Sequence, residues 1–511
     1  MAGWVHNEKN RNVIPRWRDF KQTLQSKELS PIGNTKPLQE PLSPNFHTGK
    51  IRDWEATKSV KNAVELLNSS IILEDQVYSA EAASFLRFNI NATKPLKDVS
   101  ERLLFPTEHD DSFIQLLDLD QFDQIIGNKI NSLRQCLNHN PFNSISWIEL
   151  GRLFLIIGKE HAAERCILVA TQLSPDNRYI SRVASRFFTH TGDYKKAKHI
   201  LKSNIAFKFD PWLLSADIGI SSLDNKASFN IKRGTELIIS KNHSPYDLNE
   251  LLSAIATVEL NSGSVKNSKR LFNQSLVSPN DNSLAQAVWA KNHILDLDVN
   301  QGIFDRTPNI FEAKAYQFFY SKSWGPAYSS TLQWFIDQPF SREPAAFGSF
   351  IAASVLEKYD EAIKISNYGL RATPGDFTLL NNLAFSYLKK DDTVNAQQVL
   401  NKINAEGLSE QYKVVYLATR GLLYYKLGQP EIGGLLYRQA SELAGKIKDK
   451  KLQLFADFHH LSIQLELQKK EEHLLKLDAL VKQLAPLQVV YLKDLVKNLF
   501  KRLDIDKPIN I

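Results

Sequence analysis

Several groups of residues in this 511-residue chain have types and spacings that could do chemistry. Gly151, Gly158 and Lys159 outline a phosphate loop, but the glycines are seven apart rather than five, and no Ser or Thr follows the lysine. Asp118, Asp120 and Asp123 suggest a calcium loop. A loop begun at Asp118 puts Asp123 where Gly is needed and Lys129 where Glu is needed, so charge at a helix N-terminus explains the acids better. His459 and His460 fall in a helical run, where neighbours point about 100° apart and cannot easily share one ion. The chain has no H-E-x-x-H, no paired C-x-x-C and no G-x-S-x-G. The expectation is a protein that is not an enzyme and carries no cofactor or metal. Near the start, Trp4, Arg16, Trp17, Arg18, Phe20 and Lys21 interleave bases with aromatics. That pattern suits stacking on nucleic-acid bases, or a tail pinned by its tryptophans to the rest of the protein, and the second reading is favoured.

The elements that must position such residues are clearest between Trp147 and Pro175. Trp147, Leu150, Gly151, Phe154, Ala163, Ile167 and Pro175 follow W-x2-L-G-x2-Y…A-x3-F…P, with Phe for Tyr and Ile for Phe. The small residues Gly151, Ala163 and Ala170 belong where two short antiparallel helices cross. Gly158 belongs at the turn between them, a position that tolerates positive φ. The stretch resembles the tetratricopeptide repeat family. Its period recurs: Pro141 lies 34 residues before Pro175, and Ala197 lies 34 after Ala163, beside Gly192. Later landmarks are Ala327 with Pro339, Ala362 with Pro374, Ala396, and Gly428.

The resemblance implies an all-α, right-handed α-solenoid. Its expected parts are a basic, aromatic segment and Pro-rich connector over 1–50, a short helical region over 51–109 and a first block of repeats over 110–279. An irregular connector over 280–308, a second block over 309–445 and C-terminal helices over 446–511 follow. Leu492, Leu495, Val496 and Leu499 form a stripe flanked by lysines, read as a cap over the last exposed repeat face.

Family ligands usually touch the inner face of each repeat's first helix at positions about four apart. By that resemblance the partner-binding positions are Arg152, Tyr179, Arg182, Arg186 and His190 in the earlier repeats. In the later ones they are Phe347, Asn381, Phe385, Lys389 and Tyr425, with Ile351 and Leu422 making that part apolar. The arginine row suits an acidic or phosphate-bearing partner, and charge reversal at Arg182 and Arg186 is expected to leave folding intact. Phe385 stands where a carboxylate-clamping Asn is wanted, which argues against capture of a chaperone's C-terminal tail.

Composition narrows the function less. Hydrophobic residues at 43% provide core material, and a net charge of +7 permits nucleic-acid partners without requiring them. Two cysteines, Cys136 and Cys166, are too few for a disulfide framework and point to a reducing compartment. With no signal-like opening and no run of apolar residues long enough to span a bilayer, the expected location is cytoplasmic. The reading is a non-enzymatic scaffold or adaptor that binds a partner protein or peptide on its concave face, a role that a multi-protein effector assembly would fit. A peptide-sensing regulator and a nucleic-acid-binding subunit remain as alternatives.

Overall fold

The computed structural model describes residues 11–18, 44–72, 75–104, 121–226, 228–240, 242–291, 297–487 and 489–505. Among them every regular element is helical. The chain divides into two compact units, residues 21–118 and, together, residues 1–20 and 119–511. The block expected over 1–50 is therefore split, because residues 11–18 belong with the repeats. The acidic stretch through Asp118 and Asp120, and Trp4, Phe20 and Lys21, lie outside the described residues.

The smaller unit holds α1 (Pro44–Ala56), α2 (Val60–Ile72), α3 (Gln76–Phe88) and α4 (Lys94–Leu104). Trp54, Ala63, Leu66, Leu67, Ala82, Ala83 and Leu86 are buried together as its core. The irregular connector expected up to residue 50 already gives way to helix at Pro44. A proline in the first turn sacrifices no helical hydrogen bond.

In the larger unit α5 (Phe122–His139) precedes a series of helix pairs. These are α6 (Ser144–Ile156) with α7 (Glu160–Leu173), α8 (Arg178–His190) with α9 (Tyr194–Ser203), α10 (Pro211–Leu223) with α11 (Ile231–Ser240), and α12 (Pro245–Asn261) with α13 (Val265–Ser275). Next come α14 (Asp281–Lys291) with the short α15 (Gln301–Arg306), α16 (Phe311–Tyr320) with α17 (Trp324–Asp337), and α18 (Arg342–Phe350) with α19 (Tyr359–Ala372). The series continues with α20 (Phe377–Lys389) and α21 (Thr393–Leu400), α22 (Glu410–Lys426) and α23 (Pro430–Lys446), then α24 (Lys450–Leu467) and α25 (Glu471–Leu484). The last helix is α26 (Leu492–Arg502).

Local sequence explains these boundaries. Asn143, Asn177, Asp193, Asp210 and Asp376 each accept a backbone N–H at the start of a helix. In eight of the pairs the turn has one residue at positive φ. Gly158, Gly192, Gly263 and Gly428 supply it in four pairs, and Asn225, Lys322, Glu357 and Asp391 supply it in four others. At the crossing of α6 and α7, a Cβ on Gly151 would lie 3.2 Å from Cys166 Cβ and 3.3 Å from the Ala163 carbonyl oxygen. Ala163, Ala170, Ala197, Ala327, Ala362 and Ala396 are fully buried. Trp147 is half-buried and donates from Nε1 to the Pro141 carbonyl at 2.8 Å.

Two expectations are corrected. The segment expected as an irregular connector over 280–308 begins instead with α14, a repeat helix with Asp281 through Ala290 buried. Buried on every side, it has no polar stripe to reveal its period. Second, α26 meets more than the last repeat, which it reaches through Arg502 and Glu466. It returns to the inner side of the repeats against residues 351–355, a π-helical turn, where Asn498 Nδ2 donates to the Val355 carbonyl at 2.8 Å.

Candidate peptide groove

Helices α8, α10, α14 and α16, with Asp337 and Phe340 at and just past the end of α17, form a groove that is filled by residues 11–18. This segment is extended. Val13, Pro15 and Trp17 are buried while the residues between them are half-buried, the two-residue alternation of an extended chain. Trp17 is fully buried, its ring 5.3 Å from Phe340 and 6.4 Å from Phe187. Gly219 on α10 makes the close approach possible, because a Cβ there would fall on the Val13 carbonyl oxygen.

An extended chain leaves its backbone groups unpaired, so a groove must satisfy them. Here Asn282 Nδ2 donates to the Ile14 carbonyl and Gln286 Nε2 to the Arg11 carbonyl, both at 2.8 Å. Three arginines then meet three buried carboxylates. Arg11 Nε lies 3.0 Å from Glu312, and Arg16 bridges Glu312 and Asp281, the latter at 3.3 Å. Arg18 joins Asp281 at 2.7 Å to Asp337 at 2.9 Å. Burial alone would raise the Glu312 pKa, but Arg11 and Arg16 more than offset it and hold the carboxyl below its ordinary value. At Asp337 burial prevails over Arg18 and pushes the pKa up.

The arginine row expected to face a ligand is buried and already engaged. Arg182 contacts Glu250 at 2.5 Å and stacks 4.4 Å above Trp212, and Arg178 lies 3.5 Å from Asp210. Arg186 donates to Ser341 Oγ at 2.8 Å across a sequence gap of 155 residues and covers Phe340. Arg152 is fully buried, 3.4 Å from Glu149, and Tyr179 is buried beside this row. His190 Nε2 donates to the Ala372 carbonyl at 3.1 Å. Burial, then Arg186, lowers the His190 pKa to about 4. The row is thus buried in the structure rather than open to solvent. Each cation is neutralised or stacked within the protein. Arg16, Trp17 and Arg18 are equally spent on the groove rather than left for nucleic acid.

Of the later positions, Phe385, Lys389 and Leu422 form a second seat, occupied by α26, while Phe347, Asn381 and Tyr425 are engaged with other repeat residues. Phe347 is buried and stacks on Tyr316 at 5.3 Å. Asn381 accepts from Thr419 Oγ1 at 2.7 Å, and Tyr425 pairs its hydroxyl with His460 Nε2 at 2.9 Å. Phe385, Lys389 and Leu422 line a cavity of about 40 Å³ beneath Leu495, Asn498 and Arg502. Lys389 is 3.7 Å from Glu466, and burial lowers its pKa.

Sequence reasoning missed the readers of the extended segment, Asn282, Gln286, Asp281, Glu312 and Asp337. The available signal was the match between the three arginines of residues 11–18 and three acids on the repeat helices. A second missed constellation lies in the smaller unit, where His47 is 3.0 Å from Ser69 Oγ and 3.2 Å from Asp75. Ser69 is buried and donates its hydroxyl hydrogen to the Leu66 carbonyl, so it is committed as a structural group. The Cys166 thiol is likewise no nucleophile, since burial pushes its pKa up to about 11.

No protein-family model matches the sequence, and no curated protein matches it. Among solved structures, similarity is found to yeast Tom70, at 12% identity over 89% of this chain and 94% of that one, with a TM-score of 0.29. Cut9–Hcn1, from an APC/C hetero-tetramer, is 13% identical over 89% and 92%, with a TM-score of 0.31. The P58(IPK) TPR domain is 14% identical over 75% and 98%, with a TM-score of 0.24. Superpositions at these scores carry no argument about function. The helix pairs, their turns and their small-residue crossings define the architecture, an all-α solenoid of tetratricopeptide-like repeats.

Proposed function

We propose that this chain is a non-enzymatic interaction scaffold that binds a partner protein or peptide through its repeat helices. The observation that carries the reading is the filled groove. The repeats hold an extended segment by backbone-directed amides, ion pairs and a buried aromatic anchor, which together are the chemistry of peptide recognition. The partner that this inner face suits is basic and aromatic, the reverse of the acidic partner that an arginine row implies. Among the described residues no helix is long and apolar enough to cross a membrane.

The test is affinity recovery from an extract of the native host with the full chain as bait, followed by cross-link mapping of the recovered proteins. The scaffold reading expects specific partners with cross-links to the repeat helices. Recovery of none above a scrambled-surface control ends it.

A further inference from the structure

We infer that the groove holding residues 11–18 is an exchangeable receptor, whose external ligand is an extended segment of another protein carrying Arg-x4-Arg-aromatic-Arg. Residues 11–18 are the resident ligand. The inference deepens the scaffold reading and rests on it.

Charge complementarity specifies the occupant. Residues 11–18 bring three arginines to Asp281, Glu312 and Asp337, whereas Arg182 is committed to Glu250 and Arg178 to Asp210. Buried charges that lose their counter-charges are strongly destabilising, so this groove selects a tricationic occupant over an empty state. Shape specifies it further. Two amides read carbonyls of an extended backbone, Gly219 admits that backbone closely, and Phe187 and Phe340 accept one flat side chain. The contacts that define the pattern are three arginines, one aromatic and an extended backbone. A segment from elsewhere that meets those requirements makes the same contacts.

Covalent attachment favours the resident. A tethered ligand acts at an effective concentration on the order of 1 mM, so a peptide that binds the open groove at about 10 µM is weakened roughly 100-fold by competition. The test therefore compares three full-length proteins: wild type, Arg16→Ala/Trp17→Ala/Arg18→Ala, and that triple variant with Asp281→Asn and Glu312→Gln added. The probe is a fluorescein-labelled peptide of residues 11–18, read by anisotropy, with a version bearing Glu for its three arginines as control. The triple variant is expected to bind the peptide about 100-fold more tightly than wild type, and the five-site variant to lose that binding. If the triple variant is unfolded when expressed, saturating peptide is expected to restore its melting transition.

Equal affinity in wild type and triple variant overturns the inference, as does a variant that saturating peptide neither binds nor refolds. A wild-type dimer in light scattering that the three alanines abolish makes the occupant a second copy and also overturns it. Partners recovered from extract alongside failed peptide binding sink this inference and leave the scaffold reading standing.

Discussion

The two inner seats of the repeat unit are filled by opposite means. Residues 11–18 enter the earlier groove as an extended chain and are held by buried ion pairs, whereas α26 enters the later one as a helix and is held by an apolar stripe. The difference follows from backbone accounting. A helix satisfies its own N–H and C=O groups, so α26 rests Leu492, Leu495, Val496 and Leu499 against its seat and adds only side-chain contacts, a bond from Asn498 and partly exposed ion pairs from Arg502. An extended chain needs polar partners along its length, and the earlier groove supplies Asn282, Gln286 and three carboxylates. One seat should therefore be sensitive to charge and the other to volume.

The largest effect is expected for Arg182→Glu with Arg186→Glu. These side chains are buried against Glu250, Trp212, Ser341 and Phe340, so two new carboxylates would stand uncompensated beside existing ones. We expect loss of the cooperative melting transition; a folded double variant would reinstate the row as a solvated face. Trp17→Ala comes next, at about 3–5 kcal/mol for a fully buried tryptophan, measured by denaturant unfolding. In the second seat Leu499→Ala should cost about 2–5 kcal/mol, since Leu499 is fully buried. A cost near zero there would mean that α26 is detachable.

How much of this was legible varied with the kind of information required. Repeat register is local, and it shows where the turn residue is glycine, as at Gly158, Gly192 and Gly428. It fades where Asn225, Lys322, Glu357 or Asp391 takes the same positive φ. Helix α14 escaped because complete burial removes the contrast on which periodicity depends. The inner arginines were placed on the right helices, and their role was misread for a physical reason. Glu250 lies 68 residues from Arg182, Ser341 lies 155 from Arg186, and Glu312 lies 301 from Arg11, so no local pattern announces these partners. Trp17 was the exception, because its size and apolarity favour burial wherever the chain leads it.

Acid should loosen the region where the earlier groove meets α19. His190 is held neutral, its folded pKa depressed to about 4 by burial and then by Arg186, while the Ala372 carbonyl and Glu343 favour the charged form. An unfolded histidine titrates near 6.5. The unfolded chain therefore binds more protons between these values, and the contribution present above pH 6.5 is lost as pH falls toward 4. At pH 5 the loss from this one group is at most about 2 kcal/mol. His190→Gln keeps a donor for Ala372 and should remove that part of the slope in denaturant midpoints between pH 6.5 and 5. An unchanged slope would assign the acid sensitivity elsewhere.

The smallest effect is expected at Arg502, and it isolates the contrast between the seats. Arg16 and Arg502 each bridge two carboxylates, Glu312 with Asp281 and Glu357 with Glu466. Their surroundings differ. The side chain of Arg16 is 12% exposed, against partners at 8% and 2%, whereas Arg502 is 32% exposed and both its partners are 27% exposed. Water and salt reach the second cluster, so Arg502→Ala should cost about 0.2–1 kcal/mol and less in high salt. Arg16→Ala takes one of two arginines from each of two buried carboxylates, leaving Arg11 on Glu312 and Arg18 on Asp281, and should cost more, up to about 3–5 kcal/mol, with little salt dependence. Denaturant unfolding of both variants at low and high ionic strength measures the pair. Equal costs would show that the two termini are held alike and that exposure does not separate an ionic seat from an apolar one.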